Sequence, residues 1–420
     1  MASPAAALTD DIVTEILLRL PEPADLVRAS AACVPYRRLA TDRAFLRRYR
    51  ALHPPPLLGF LDHNGFHPAL SPHAAAPVAR AVSLAADFSF SFLPSPADRW
   101  IVRDARGGRV LLDRAPEDDG GEGSPVSTEV AVCDPLHRRC VVLPPIPDDL
   151  AASVEHPVRV EFDRWCEAFL VPRADDGTDA GDETSFEVIW MAQCKAKLVA
   201  FAFSSATGQW RAVASLLWRD LRSGAGPVRP VIYGRQYAHG CFYWTMDWHW
   251  PNKLLVLDTR RMAFSVADLP PDCKRRRIAI VEAGEGGVGM FTLRDHVADG
   301  EVSLHYTVRQ DGSSHWQMEK IIPLDPAFRH YIRGATERYV LLLRFPEDLS
   351  SSGVHVSSSE EGIDLECFSL DVKTLQLEKP ICIYEKCYRY DQSGRLRMAQ
   401  FCLKLKTLVR KIGKEELPDL

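Results

Sequence analysis

Five times along this chain an apolar run of strand length ends in a polar turn, and an aromatic or apolar residue follows a few places later. The copies are Cys133-Asp134-Pro135 leading to Leu143-Pro144, Ser205-Ala206-Thr207-Gly208 leading to Trp210, Asp258-Thr259 leading to Phe264 and Leu269-Pro270, Asp311-Gly312 leading to Trp316 and Ile322-Pro323, and a degraded copy from Asp371 to Pro380. The turn positions 134, 205, 258, 311 and 371 stand 71, 53, 53 and 60 residues apart. In each unit the turn residues permit a tight reversal, and the aromatic is placed to pack between neighbouring sheets. One such unit cannot bury both of its faces, whereas a stack of neighbours can.

An interval of roughly 50 residues is that of a kelch-like blade, so the repeat predicts a β-propeller of five or six blades. A sixth can be assembled from residues 57–114 and the C-terminal strands. Strand-sized pieces agree with it: Arg99-Trp100-Ile101-Val102, Gly108-Arg109-Val110-Leu111-Leu112, Glu129-Val130-Ala131-Val132, Leu198-Val199-Ala200-Phe201-Ala202-Phe203 and Leu254-Leu255-Val256-Leu257. Residues 115–128, 173–185 and 350–362, rich in Gly, Ser, Asp and Glu, are expected as mobile loops. Leu403, Leu405, Leu408 and Val409 alternate with basic residues near the end and predict a terminal helix or strand lying on the propeller.

The first fifty residues have a different period. Ile12, Val13, Ile16, Leu17 and Leu20 recur at helical spacing, with Asp10 and Asp11 in the first turn and Thr9 as the expected N-cap. Pro21 ends this helix and Pro23 opens a second, carrying Leu26, Val27, Ser30 and Cys33 up to Val34-Pro35. A third helical stretch holds Leu39, Phe45, Leu46 and Tyr49. So small a module is hard to stabilise alone, and its first helix is apolar over more than one narrow stripe, so the surplus face calls for a partner.

Composition bounds the rest. With 420 residues, 46% hydrophobic and 25% charged, the chain has the balance of a soluble globular protein with more than one core. A formal charge of -5 supplies no basic field for nucleic acid. The eleven cysteines are odd in number and scattered, and the nearest pairs, Cys133/Cys140 and Cys382/Cys387, lack the second pair of a zinc site. Reduced, buried thiols are expected. The N-terminus lacks the pattern of a secretory signal and no apolar run reaches bilayer length, so cytoplasm or nucleus is the expected compartment, with no membrane partner.

Leu8-Thr9-Asp10-Asp11-Ile12, Ile16-Leu17-Leu18-Arg19-Leu20-Pro21 and Asp25-Leu26-Val27-Arg28-Ala29-Ser30-Ala31-Ala32-Cys33 together resemble an F-box, departing from the usual pattern at Thr9 and Tyr36. The resemblance implies a helical trio docking on a Skp-type adaptor through Leu8, Ile12, Ile16, Leu17, Leu20, Pro21, Leu26 and Val27. The remainder resembles the F-box-associated, kelch-like repeats of plant and notably cereal-type members. The motifs are Val132-Cys133-Asp134-Pro135-Leu136 with Val142-Leu143-Pro144-Pro145, Gly240-Cys241-Phe242-Tyr243-Trp244 with Val256-Leu257-Asp258-Thr259, and Glu366-Cys367-Phe368-Ser369-Leu370-Asp371. By this resemblance the chain is a non-catalytic substrate adaptor of a ubiquitin ligase, tied through the Skp-type adaptor to a cullin and holding a protein target.

Four other features stand out. Gly284-Glu285-Gly286-Gly287-Val288-Gly289 matches a dinucleotide fingerprint, but Met290-Phe291-Thr292-Leu293 continues it as a strand where a phosphate site needs a helix. His63, His67 and His73 are expected as surface-loop residues, since Gly65, Pro68 and Pro72 prevent a helix that would align them as metal ligands. Lys274-Arg275-Arg276-Arg277 reads as a charged turn between blades, with a nuclear signal or an acidic-target contact as the alternative. Tyr243, Trp244, Trp248 and Trp250 are dense enough to serve either blade packing or a target-binding face.

The expected architecture is α+β and multidomain: residues 1–7 a disordered start, 8–50 the F-box, 51–57 a linker, 58–414 the propeller and 415–420 a tail. No cofactor or metal is expected. The alternative is a β-propeller ligand-binding protein or enzyme whose N-terminal helices are only structural.

Overall fold

The computed structural model describes residues 9–21, 23–53, 56–62, 65–94, 100–114, 129–158, 166–172, 185–221, 230–246, 252–270, 273, 278–296, 301–310, 315–336, 338–346, 365–384 and 397–398. The three acidic and Ser-rich segments, the basic run 274–277 and the C-terminal stretch 402–414 lie outside these residues, apart from Ser185.

Helix α1 spans Asp10–Leu18. Thr9 occupies its N-cap with extended backbone, but its hydroxyl caps no amide. Val13, Leu17 and Leu18 turn inward. After Pro21 the chain re-enters a helix, α2, at Pro23–Ala32. The expected third stretch is two helices, α3 (Val34–Ala40) and α4 (Arg43–Leu52). They separate at Asp42, whose Oδ1 accepts from Phe45 N at 3.0 Å and starts the new helix. Helix α4 then satisfies the carbonyls at the end of α1: Tyr49 Oη donates to Leu20 O at 3.1 Å and His53 Nε2 to Leu18 O at 2.6 Å. Helix gives way to strand between Leu52 and Gly59. The core nevertheless runs through it: Leu17, Leu46 and Tyr49 belong to one buried cluster with Leu57, Leu58, Phe60, Trp100 and Tyr339.

The rest is a five-bladed β-propeller of antiparallel four-stranded sheets. Strands β1 (Gly59–Asp62) and β2 (Gly65–Pro68) and helix α5 (Ala76–Ala85) precede it. The first blade is β3 (Trp100–Arg106), β4 (Arg109–Arg114), β5 (Val130–Asp134) and β6 (Arg139–Val142), followed by α6 (Asp148–Ala151). The second is β7 (Glu167–Leu170), β8 (Glu187–Gln193), β9 (Lys197–Ser204) and β10 (Gln209–Leu217). The third is β11 (Ile232–Ala238), β12 (Cys241–Met246), β13 (Lys253–Asp258) and β14 (Ala263–Asp268). The fourth is β15 (Ile278–Glu282), β16 (Val288–His296), β17 (Glu301–Arg309) and β18 (Gln317–Leu324). The fifth is β19 (Phe328–Ala335), β20 (Tyr339–Pro346), β21 (Leu365–Asp371) and β22 (Gln376–Tyr384).

First strands of successive blades lie side by side, β3 by β7, β11 by β15 and β15 by β19. Between the fifth blade and the first stands a three-stranded sheet in which β23 (Arg397–Met398) pairs with β1, opposite Leu61 and Phe60, and β1 pairs with β2. Strand β23 touches both β3 and β19, so residues from the two ends of the chain close the ring. The segment 100–114 belongs to the first blade rather than to this closing sheet.

Blade packing explains why the strands are legible. The middle strands β8, β9, β12 and β13 are buried on both faces and carry near-continuous apolar runs, while the outer strands β6, β10 and β18 alternate or are largely exposed. The recurring turn is the link between the third and fourth strands of a blade. Asp134, Ser204, Asp258 and Asp371 pair with Arg139, Gln209, Ala263 and Gln376 across it. Asp134 Oδ1 accepts from His137 N, Asp258 Oδ1 from Arg260 N and Arg261 N, and Asp371 Oδ1 from Lys373 N and Thr374 N, an aspartate-capped turn used three times. The last turn residue has positive φ each time: Arg138, Gly208, Met262 and Leu375. The aromatic after the turn ties blades together, with Trp210 Nε1 donating to Pro144 O at 2.8 Å and Trp316 Nε1 to Asp268 O at 3.0 Å.

Candidate interaction site

On α1 the apolar residues divide between two faces. Ile12 and Ile16, one turn apart, are 47% and 49% exposed, while Leu17 is 3% exposed. At about 100° per residue, Leu17 is carried round from Ile16 toward α3 and α4, which pack on α1. Leu26 is fully buried in the same core. Leu17 and Leu26 therefore hold the helices together and cannot contribute to an open contact surface, which corrects the expectation for both. Pro21 is exposed and Leu20 half-buried beside the open face, whereas Leu8 and the side chain of Val27 lie outside what the structure describes. Glu15, on the exposed side of α1, pairs with Arg48 of α4 at 2.5 Å. Val34 and Leu52 are also exposed large apolar residues of this helical unit. Their sequence signal was available, since each stands at a helix end next to polar or proline neighbours.

The aromatic cluster has a different place. Tyr243 and Trp244 are adjacent on β12, so their side chains point to opposite faces of the third blade, and both faces are covered. Trp244 packs toward the second blade with Phe169 and Phe242, and Tyr243 lies in the core shared with the fourth. Burial pushes the Tyr243 phenol well above its ordinary range. Neither residue is available to a target. Trp248 and Trp250 lie outside the described residues.

The innermost strands of the first three blades share a buried ionic cluster. Arg235 of β11 donates through Nη1 to Glu167 Oε1 of β7 at 2.7 Å, with Nη2 3.3 Å from Asp104 Oδ2 of β3. Glu167 Oε2 accepts from Trp244 Nε1 at 3.1 Å. Asp104 accepts from Leu170 N and Ala105 N, both at 3.0 Å. The Arg235 guanidinium also lies 4.6 Å from the centre of the Phe169 ring. Each carboxylate oxygen is engaged, so this pair clamps blades together and does not stand as a free acid and base.

The remaining sequence candidates also resolve into structural roles. Residues Gly284–Gly286 form a 3-10 turn leading straight into β16, with no helix behind it. His239 Nε2 donates to Gly287 O at 2.9 Å and its amide to Glu282 Oε1 at 2.9 Å, tying this turn to the third blade. His67 stacks on Phe60 at 4.7 Å. His73 is buried, contrary to a surface-loop position: Ala75 N donates to its Nδ1 at 3.1 Å, and its Nε2 donates to Glu378 Oε2 at 3.2 Å. The loop carrying it is drawn inward against the outer strand of the fifth blade. His63 lies outside the described residues. Among the described residues no group of three or more His, Cys, Asp or Glu is arranged to hold a metal ion, and no helix is long and apolar enough to cross a membrane. Cys133 and Cys194 are free and buried; Cys33, Cys140 and Cys241 are free and half-buried.

Fold and site thus define a five-bladed β-propeller with an N-terminal helical unit that leaves an apolar helix face open. No protein-family profile and no curated protein matches the sequence. Some solved structures are distantly similar to it. The WD40 domain of SCAP from fission yeast is similar at 11% identity and a TM-score of 0.31, over 69% of this chain and 78% of that one. The GH93 α-L-arabinofuranosidase of Fusarium graminearum is similar at 8% identity and a TM-score of 0.36, over 72% and 86%. A prolyl endopeptidase is similar at 9% identity and a TM-score of 0.36 over 69% of this chain, which spans only 36% of that protein. A WD40 domain, an arabinofuranosidase and an endopeptidase stand side by side in this set, and the likeness does not extend to activity.

Proposed function

We propose that this protein is the substrate-recognition subunit of an SCF-type ubiquitin ligase, its N-terminal helices docking on a Skp-type adaptor and its propeller holding a protein target. The observation that carries the reading is the exposure of Ile12 and Ile16 on a helix whose opposite face is already filled. Two branched aliphatic side chains one turn apart present an apolar stripe that gains from burial against a partner groove. The F-box resemblance of residues 8–33 names the partner class, and a propeller, with loops gathered at both ends of its blades, is a scaffold compatible with protein binding. In this reading the chain reacts with nothing itself: it raises the effective concentration of target lysines near the ubiquitin carrier, with the adaptor bridging to a cullin.

The test is co-purification of the full chain with a Skp-type adaptor, native against Ile12→Asp plus Ile16→Asp. Both positions are exposed, so the double variant keeps its fold by circular dichroism while charging the proposed contact. Binding by the native chain that the variant loses supports the reading. A native chain that binds no adaptor, or a variant that binds equally well, overturns it.

A further inference from the structure

Cys133 and Cys140 stand directly opposite each other on β5 and β6. Leu143 N donates to Val130 O at 2.8 Å, and Ala131 pairs with Val142, so hydrogen-bonded pairs fall at 130/143, 132/141 and 134/139. Cys133/Cys140 is therefore a non-hydrogen-bonded pair, the closer of the two kinds, with Cα atoms about 4.5 Å apart, inside the roughly 4.4–6.8 Å span of disulfides. Both side chains lie on one face of the hairpin: Cys133 is fully buried in the core that also holds the helical unit, and Cys140 packs against that same core. Both are free thiols. Cys140 Sγ is 4.0 Å from Phe92 O, a weak contact. Strand β6 is the outer edge of its blade, four residues long with Val141 and Val142 exposed, so it can move the short distance that brings the sulfurs into bonding range.

From this geometry we infer that Cys133 and Cys140 form a reversible cross-strand disulfide, a redox modification site on the first blade that is independent of adaptor docking. Cys140 is the accessible partner and reacts first with a hydroperoxide oxidant. Its thiolate attacks a peroxide oxygen, the S–O bond forms as the O–O bond breaks, and the hydroxide (or alkoxide) leaving takes up the thiol's proton. The Cys133 sulfur then attacks the sulfenic sulfur of Cys140. The S–S bond forms, the S–O bond breaks, and hydroxide leaves with the Cys133 proton as water. With hydrogen peroxide, two thiols and one peroxide become one disulfide and two waters. Burial, followed by the charges of Cys140 and Asp134, raises the Cys133 thiol far above its usual range, so this cysteine acts as the resolving partner and not as the first nucleophile. The bond would staple the 134–139 turn, where Pro135 O accepts from Asp87 N and Arg138 meets Asp87 at 2.9 Å.

Trypsin reads the outcome directly, because Arg138 and Arg139 lie between the two cysteines and cleavage there separates them into different peptides. The full-length protein is treated with hydrogen peroxide, its remaining thiols are alkylated, and the digest is analysed by mass spectrometry. The inference expects the Cys133 and Cys140 peptides to appear joined, lighter by two hydrogen atoms than the separate pair, to separate on reduction, and to stay unjoined in Cys140→Ser. The native chain alone decides the case if that variant does not fold. Recovery of both peptides separately alkylated, or of Cys140 as sulfinic acid with Cys133 still a free thiol, overturns it.

Discussion

Arg235 of the third blade donates to Glu167 of the second at 2.7 Å while lying 3.3 Å from Asp104 of the first, so one guanidinium bridges carboxylates on two other blades. Its side chain is essentially inaccessible. Arg235→Met removes the guanidinium that Glu167 and Asp104 share, while Arg106 Nε stays 3.4 Å from Asp104 Oδ2, and should cost about 3 kcal/mol, the lower end for a broken buried pair. The expected readout is a marked fall in the thermal melting temperature. Arg235→Met combined with Asp104→Asn and Glu167→Gln should recover much of the loss, because the triple variant removes the stranded charges.

Leu17 and Ile16 are neighbours in sequence with opposite surroundings. Leu17→Ala opens a cavity in the core shared by helices and propeller and should cost about 2–5 kcal/mol. Ile16→Ala, on the exposed face, should stay within about 0.5 kcal/mol. Chemical denaturation of the two variants checks this, and equal losses would mean that Ile16 is covered within the chain itself.

The glycines at 284–289 make unequal demands. A Cβ at Gly289 would lie 2.9 Å from Cε2 of Tyr306 and 3.0 Å from Val281 Cγ2, so Gly289→Ala overpacks the blade and should cost about 1–3 kcal/mol. At Gly284 nothing lies within 4 Å, and Gly284→Ala should be close to neutral. Melting temperatures of the two variants separate a packing role for this run from a ligand-cradling one, which would spare the stability of both.

Met262 holds a φ of 51°, left-handed backbone that costs a residue with a Cβ about 1–2 kcal/mol. The equivalent turn position of the second blade is Gly208. Gly208→Ala, which forces a Cβ into the same conformation with nothing to pack on, should therefore lower stability by about 1 kcal/mol, and Asp258→Ala, which strips the acceptor from Arg260 N and Arg261 N, should lower it by about 1 kcal/mol as well. Thermal unfolding of each variant gives the sign.

Acid should weaken the fold in two separate ranges. Burial, reinforced by the Arg344 charge, lowers His330 below the 6.5 of a free histidine, so the folded state binds fewer protons. Its contribution is complete above 6.5 and is lost as pH falls through 6.5 toward the lowered value. At Glu378 burial pulls the carboxyl upward, but the hydrogen bonds from His73 and Ser369 outweigh it, and the group sits below 4.5. That contribution is present above 4.5 and is lost as pH falls through the folded value. Melting temperature against pH should lose its upper slope in His330→Gln and its lower slope in Glu378→Gln.

Much of the architecture could be read from residue order because it rests on local pattern. The turn aspartates at 134, 258 and 371 mark the same hairpin in three blades because a short carboxylate can cap the amides of its own turn, a local interaction visible in sequence. The two-helix form of residues 34–52 was legible in principle from Asp42, a helix-starting residue three places before Phe45, but the apolar spacing across it conceals the break. For the interaction face, periodicity found the helix and its surplus of apolar residues without dividing Ile16 from Leu17. Tyr243 and Trp244 misled for the same reason, since density of aromatics is alike in a core and on a binding face.

What residue order settled about this protein was the change from helical to strand period near residue 55, the recurring blade turn and the early helices, all products of steric and hydrogen-bonding preferences over a few neighbours. Three features needed the assembled chain: the side of α1 left open, the pairing of Arg235 with carboxylates 68 and 131 positions earlier, and the closing of the ring by strands from both ends. Each depends on which distant surface arrives to exclude water or supply a charge, and burial and counter-charge are properties of the packed molecule, not of any local stretch of it.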